Sequence, residues 1–260
     1  MKFSSPFHLV TFSPWPLLTS FSVFFLMMGF MKWMNLNSLN LMLLSLLILV
    51  FCLFQWWRDV IRESTFQGFH GYLIVKMLRF SFILFIISEL FFFISFFWSF
   101  FHMMLSPPIE LGNCWPPQGI IPFDPLGIPL VNSFILITSG MTVTLSHYSL
   151  LLENMNKSKN SLLLTIILGM IFTLFQLIEY NMSSFTMADS IYGSLFFMMT
   201  GFHGIHVLIG SIFLGCCYLR MLNNHFTFYH HVGFEMASWY WHFVDIVWLF
   251  LYIIVYWLST

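Results

Sequence analysis

Charged side chains are scarce in this sequence. Only 7% of its 260 residues are Asp, Glu, Lys or Arg, whereas 59% are hydrophobic and 21% are aromatic. Because so little polar surface cannot cover a water-soluble globule of this length, we expect a membrane protein. Nine basic and ten acidic residues nearly cancel, so the sequence also lacks the basic excess typical of nucleic-acid binding.

Alanine and cysteine are also rare. Alanine occurs only at Ala188 and Ala237, although it packs well between membrane helices. The 35 Phe and 18 Met residues have AT-rich codons, so we infer an AT-biased gene, as in many organelles. The four cysteines form no CxxC pattern and are predicted to be packing residues. Residues 1–16 do not resemble a cleavable signal or an Arg-rich transit peptide, so we expect insertion without cleavage.

Long apolar runs dominate the rest of the chain. A membrane helix needs about 20 mostly apolar residues. Segments that meet this length lie at 15–34, 39–57, 74–104, 128–152, 160–179, 191–219 and 233–257. The stretch between the third and fourth runs is rich in Pro and Gly and is predicted to be an irregular loop. The sequence therefore predicts an all-α membrane protein with seven transmembrane helices.

The few Lys and Arg residues predict an orientation. If the N-terminus lies on the inner side of the membrane, Lys32 alone faces the outer side. The inner side then receives Lys2, Arg58, Arg62, Lys76, Arg79, Lys157, Lys159 and Arg220. By the positive-inside rule we expect the N-terminus inside and the C-terminus outside.

Glu89 lies in the middle of the apolar stretch FIISELFFFISFFW, residues 85–98. An ionised carboxylate near mid-bilayer costs on the order of 3 kcal/mol or more. Arg79 is about 15 Å away along a helix, too far to pair with it. We therefore expect Glu89 to be protonated or partnered by another helix. A neutral Glu that only bonds a neighbouring helix is one interpretation, and a role linked to protons or lipid is the other.

Small and polar residues on two helices predict close contacts with neighbouring helices. One is a narrow stripe on the third helix, formed by Ser81, Ser88, Ser95, Ser99 and His102. The other is on the sixth helix, where Gly201, Gly204 and Gly210 would let another backbone approach.

Polar residues on the sixth and seventh helices predict a buried polar seam. Its members are His203, His206, Glu235, His242 and Asp245. Such a seam can hold a metal or haem between helices, but one HxxH pattern is weak evidence and a hydrogen-bonded core pair is the preferred interpretation.

Two other functions stay open for the protein. One is a b-type haem protein that uses three of these histidines, and the other is a proton-coupled transporter that uses Glu89, Glu235 and Asp245. A transporter would need an inverted repeat, which the sequence does not show.

Several histidines fall near the inner surface in the predicted topology. They are His8, His70, His147, His225, His230 and His231. An unperturbed histidine has a pKa of about 6.5 and exchanges protons near neutrality. A proton-collecting surface is one interpretation, and headgroup-level histidines without a special role are the other.

The segment QWWRDVIREST leaves the second helix with Trp56 and Trp57 at the expected interface. Tryptophan is enriched at headgroup depth, and the arginine fork suits lipid phosphate. With Arg62 and Glu63 following, the segment predicts a phospholipid site, with simple anchoring of a loop as the alternative.

Seven blocks of the sequence, taken in chain order, resemble a known protein family. The blocks are SPFHLV, WWRDVIRESTFQG, FIISELFFFISFFWSFFH, WPPQGI, TVTLSHY, YGSLFFMMTGFHGIHVLIG and HHVGFEMASWYWHFVDIVWLFLY. Together they resemble cytochrome c oxidase subunit III in its mitochondrially encoded form. The blocks cover nearly the whole chain. The resemblance implies two-helix and five-helix bundles separated by a V-shaped, lipid-filled cleft, with domains at 1–72 and 73–260.

The resemblance also implies a function. The complex transfers electrons from cytochrome c to O2 and pumps protons, with haem a and copper in subunits I and II. This subunit would carry no catalytic residue, metal or other cofactor, and would hold phospholipids, support proton uptake and stabilise the catalytic subunit. Its place would be the mitochondrial inner membrane, beside subunits I and II and accessory subunits, with its N-terminus in the matrix and its C-terminus in the intermembrane space.

By position, Glu89 matches the intramembrane carboxylate of the family. The lipid-facing segment of the family is matched by Trp56, Trp57, Arg62, Glu63 and His70. At three positions, Ser5, Thr11 and Phe69, this chain lacks the His or acid that the family often has. The predicted proton-collecting surface therefore contains fewer titratable side chains.

Overall fold

The structure is a computed structural model that describes residue 8 and residues 10–259. The expectations that involve Lys2 and Ser5 lie outside the described residues. Within the described part of the chain the secondary structure is helical, without strands. The long helices are α1 (Trp15–Leu36), α2 (Asn40–Thr65), α3 (Tyr72–Leu105), α4 (Ile128–Leu151), α5 (Met155–Asn181), α6 (Ser190–Leu222) and α7 (Val232–Leu251).

A short 3₁₀ helix, Ile109–Leu111, lies in the predicted loop, and a π-helical turn, Tyr252–Trp257, extends α7. Counted over the described residues, seven helices are long and apolar enough to cross a membrane. The predicted all-α membrane fold is therefore confirmed.

Two helices extend furthest beyond the apolar runs from which they were predicted. α2 continues to Thr65, so the residues that follow its apolar run form the last two turns of the helix. α5 begins at Met155, where Oδ1 of Asn154 accepts a hydrogen bond from the backbone N–H of Lys157 at 3.2 Å. Such a cap satisfies a donor at the helix start and lets the helix begin before its apolar run.

The chain divides into two compact units, residues 1–78 and 79–260. The predicted domain boundary at residue 72 and the predicted cleft stay predictions. In the first unit α1 and α2 pack closely, and a Cβ on Gly29 would lie 2.6 Å from the backbone nitrogen of Met42. The indole N–H of Trp15 donates to Oδ2 of Asp59 at 2.7 Å and joins the start of α1 to the end of α2.

The core of the second unit surrounds two tryptophans on α7. Trp241 and Trp248 are fully buried. Their indole nitrogens donate to Ser139 Oγ at 2.9 Å and Ser133 Oγ at 3.0 Å, both on α4. Gly169 of α5 faces the ring of Trp241, because a Cβ there would lie 2.6 Å from Cη2. These contacts fix the rotation of α7 about its axis.

At Ser88 and Ser95, the serine stripe predicted on α3 faces outwards from the described part of the chain. Ser88 and Ser95 are exposed, and each donates to a carbonyl of its own helix, those of Phe85 and Phe92. A serine satisfied by its own helix needs no neighbour. α3 instead packs through aromatic rings, including Phe93 and Phe100, which are buried.

Only one of the three glycines singled out on α6 makes a close contact. A Cβ on Gly201 or Gly204 would have no described atom within 4 Å. A Cβ on Gly210 would lie 3.0 Å from Cε3 of Trp241. Among the described residues the close packing is therefore at Gly210, and the prediction for Gly201 and Gly204 stays a prediction.

Candidate functional site

Glu89 has a partner on another helix. Its Oε2 lies 2.9 Å from Nε2 of His206, which joins α3 to α6. The two side chains are 25% and 11% exposed. His206 is thus the partner that the sequence left unnamed.

This pair holds a proton. Nδ1 of His206 lies 2.7 Å from the carbonyl oxygen of Phe202, and because a carbonyl only accepts, Nδ1 must carry a hydrogen. The contact between Nε2 and Oε2 then needs a second hydrogen, placed on either atom. The pair is therefore a neutral imidazole with a carboxylic acid, or an imidazolium with a carboxylate. Both arrangements have zero net charge, which lowers the cost of keeping a carboxyl group at membrane depth.

Aromatic rings surround the pair. The ring of Phe93 lies 5.0 Å from that of His206 in an edge contact, and the ring of Tyr240 lies nearly parallel to it at 6.3 Å. Phe92 contacts the same imidazole at 6.3 Å. These apolar faces limit access of water, which strengthens the hydrogen bond between His206 and Glu89.

The five residues of the predicted polar seam do not form one network. Nε2 of His203 lies 3.2 Å from the carbonyl oxygen of Val244, and its ring is fully buried. His242 and Asp245 contact each other within α7, with Nδ1 and Oδ2 4.0 Å apart. The seam is thus divided among separate environments, and its three histidines do not converge as haem or metal ligands within the described residues.

Glu235, the first acidic residue of α7, forms an ion pair with α3. Nε and Nη2 of Arg79 lie 2.7 Å and 2.9 Å from its two carboxylate oxygens. His231 Nε2 lies 3.3 Å from Oε1 of the same carboxylate. The ion pair brings Arg79 of α3 next to the first turn of α7.

The predicted lipid-binding residues lie in the first unit. At the end of α2, Trp57 is 59% exposed and the side chain of Arg62 is 54% exposed, whereas Trp56 is half-buried. Glu63 is buried, and its Oε1 accepts a hydrogen bond from Thr11 Oγ1 at 2.8 Å. The exposed members present an indole and a guanidinium that suit a phospholipid headgroup.

The histidines predicted to collect protons fall into two groups. His8 and His70 lie together, with ring centroids 5.4 Å apart, and His8 Nε2 is 3.7 Å from Glu63 Oε2. His225 and His230 are half-buried near the start of α7. His231 is only 5% exposed. His231 therefore offers little accessible surface of its own, and the proton-collecting role of this group stays a prediction.

Two further polar residues have contacts that the sequence did not predict: His147, named above only as one of the inner-surface histidines, and Glu179, which was not singled out. His147 joins His231, with their Nε2 atoms 3.1 Å apart. Glu179, near the end of α5, is 1% exposed and lines a cavity of about 230 Å³ together with Asp124 and Met182. The only sequence signal for Glu179 is that it is a lone acid at the end of an apolar run. The only sequence signal for His147 is its predicted position near the inner surface.

Comparisons with known proteins agree with the resemblance in the sequence. The family model of cytochrome c oxidase subunit III matches residues 5–260. Cytochrome c oxidase subunit 3 of Drosophila melanogaster is 56% identical over 252 residues, which cover 97% of this chain and 96% of the relative. The subunits of Dugong dugon and Mus musculus are each 53% identical, over 96% of both chains. These matches do not favour the haem-protein and transporter interpretations.

Proposed function

Because this chain belongs to the cytochrome c oxidase subunit III family, we propose that it is the subunit that carries no redox centre and supports the catalytic subunit of that complex. As a member it is a multi-pass membrane subunit of a multi-subunit oxidoreductase. In this proposal haem a and copper reside in subunits I and II, which carry electrons from cytochrome c to O2 and pump protons.

The proposed location is the mitochondrial inner membrane, with the N-terminus in the matrix and the C-terminus in the intermembrane space. The distribution of Lys and Arg supports this orientation through the positive-inside rule. The AT-biased residue usage supports an organellar gene. The proposed neighbours are subunits I and II, together with accessory subunits.

The hydrogen-bonded pair of Glu89 and His206 is the observation that carries the proposed role. A group that keeps one proton at zero net charge can rest in the bilayer and still exchange that proton. We expect it to support proton uptake by the catalytic subunit, or to hold lipid beside it. Either role would protect the complex from inactivation during turnover.

Bound phospholipid is the second part of the proposal. Exposed Trp57 and Arg62 offer an interfacial ring and a phosphate-binding fork at the end of α2. Trp56, Glu63 and His70 complete the proposed headgroup site.

The test uses Glu89→Gln in the intact oxidase. Glutamine keeps the size of the side chain and a hydrogen-bonding oxygen, but it cannot exchange the shared proton. We expect nearly normal assembly and initial activity, and faster loss of activity during sustained turnover. Ser88→Ala, which removes an exposed hydroxyl one residue away, should decay like the unmodified complex. Unchanged decay of the Gln variant together with unchanged bound phospholipid would rule the proposal out.

A further inference from the structure

Three potential metal ligands meet at one end of the second unit. His147 lies in the last turns of α4, His231 immediately precedes α7, and Glu235 lies in the first turn of α7. We call these three residues the His147 cluster. The ligand atoms of the cluster lie within 4.8 Å of one another.

The spacing of these atoms fits a small divalent ion. Zinc binds imidazole nitrogen at about 2.0–2.1 Å, so two ligand atoms of a tetrahedral site are about 3.3 Å apart. The Nε2 atoms of His147 and His231 are 3.1 Å apart. Nε2 of His231 is 3.3 Å from Oε1 of Glu235. Two of the three distances between ligand atoms therefore already suit a tetrahedral site. The third, between the ligand atoms of His147 and Glu235, is at most 4.8 Å and needs only a small side-chain shift.

The surrounding contacts orient the ligands. Nδ1 of His231 lies 3.0 Å from the carbonyl oxygen of Thr227, so Nδ1 carries the hydrogen and the lone pair of a neutral ring is on Nε2, towards the cluster. A histidine ligand usually donates its other N–H in this way. Arg79 fixes the carboxylate of Glu235 through two hydrogen bonds. The ring edge contact of His147 with Phe234, at 5.7 Å, positions the remaining imidazole.

Access and coordination number also fit a bound ion. His231 is buried, but His147 and Glu235 are only half-buried, so an ion can reach the cluster from the end of the helices. Three protein ligands leave a fourth position for water, and a set of two histidines with one glutamate is a known zinc combination. The positive charge of Arg79 faces the same carboxylate, and so it weakens binding relative to an isolated cluster.

We propose that His147, His231 and Glu235 form a binding site for a divalent transition-metal ion of the zinc type, which ties the end of α4 to the start of α7. No metal-binding pattern is visible in the sequence here, because 84 residues separate the two histidines. The site is independent of the Glu89 and His206 pair and of the proposed function.

The test is titration of the full-length chain, in lipid nanodiscs freed of metal by chelation, with Zn²⁺ and with Co²⁺ as an optical probe. We expect one ion per chain, and at least about tenfold weaker binding in His147→Gln and in His231→Gln. His230→Gln, which changes the adjacent histidine outside the cluster, should bind like the unmodified chain. Undiminished binding in both cluster variants would overturn the proposal.

Two additional variants distinguish the His147 cluster from a second group of potential ligands and from an effect of misfolding. The second group lies in the first unit and consists of His8, Glu63 and His70, whose ligand atoms are also close together. Loss of the tight ion in His8→Gln alone would place the metal there and refute the proposal. His147→Cys should bind Co²⁺ with a new thiolate-to-metal charge-transfer band, a gain that misfolding cannot produce. The same band in His230→Cys, or its absence from His147→Cys, would count against the His147 cluster.

Discussion

Nε2 of His206 and Oε2 of Glu89 lie 2.9 Å apart, in a contact that spans 117 residues of sequence and joins α6 to α3. The carbonyl of Phe202 fixes a hydrogen on the other nitrogen of His206, so the contact itself contains one proton. This relationship explains how a carboxyl group is kept among phenylalanines at membrane depth. It also makes the pair a contributor to helix packing, which can be measured separately from oxidase activity.

A double-mutant cycle on this pair should show coupling. His206→Phe leaves Glu89 without its partner, whereas adding Glu89→Leu removes the orphaned carboxyl group. We expect the double variant to be more stable than the sum of the single changes predicts, with a coupling energy of about 1 kcal/mol, within the range for polar pairs between membrane helices. The measurement is denaturant-induced unfolding of the full chain in mixed micelles.

The control for this cycle pairs His206→Phe with Ser88→Ala, whose hydroxyl bonds its own helix. These two changes should add to within about 0.5 kcal/mol. Equal additivity in the Glu89 cycle would show that the hydrogen bond contributes nothing to packing.

Gly169→Ala should destabilise the second unit. The new Cβ would lie 2.6 Å from Cη2 of Trp241, a fully buried ring that cannot move without disturbing α7. Overpacking of this kind costs about 1–3 kcal/mol. Gly204→Ala is the matched control, because its Cβ would have no described neighbour within 4 Å. Unfolding curves that rank the two variants equally would contradict the packing of α5 against α7.

Arg62→Gln should reduce the phospholipid that remains bound after mild detergent extraction. The guanidinium of Arg62 is free to meet a headgroup, with a side chain 54% exposed and Asp59 Oδ1 3.9 Å away. Arg58 bonds Asp59 directly at 3.1 Å, so Arg58→Gln is the control with the same change of charge. Mass spectrometry of co-purified lipid should show a selective loss in the first variant. Equal lipid in both variants would argue against a headgroup site at Arg62.

The sequence predicted the helices well because the bilayer sets their length. We expected each apolar run of about 20 residues to become a membrane helix, since a helix satisfies all backbone hydrogen bonds within a single segment there. The ends were less predictable. α2 runs through Arg58 and Arg62 to Thr65, whereas its apolar run ends at residue 57. A helix can continue into the interface when its long side chains reach water.

The sequence also identified Glu89 but could not name its partner. Hydropathy reveals the cost of a buried acid, whereas the partner depends on how α3 and α6 are rotated against each other. That rotation is set by side-chain fit, as where the ring of Phe92 on α3 meets the ring of Phe202 on α6 edge-on at 5.1 Å. For the same reason the sequence did not show that Ser88 and Ser95 face outwards, or that His147 contacts His231.

Ser139→Ala should test the fit between α4 and α7. Ser139 Oγ accepts the indole hydrogen of Trp241 at 2.9 Å, and both residues are fully buried. Removing the hydroxyl leaves a buried donor unpaired, which costs about 1–3 kcal/mol. Ser139→Cys keeps a weak acceptor, so its stability should fall between those of Ser139→Ala and the unmodified chain. The measurement is the free energy of unfolding in mixed micelles.

The control is Thr144→Ala on the same helix. Its exposed hydroxyl donates to the carbonyl of Met141 on its own helix, so its loss should change stability by less than about 0.5 kcal/mol. A Ser139→Ala variant as stable as Thr144→Ala would mean that Trp241 is held by packing alone. A graded loss from Cys to Ala would instead show that indole hydrogen bonds set the rotation of α7, and with it the positions of Glu235 and His242 on that helix.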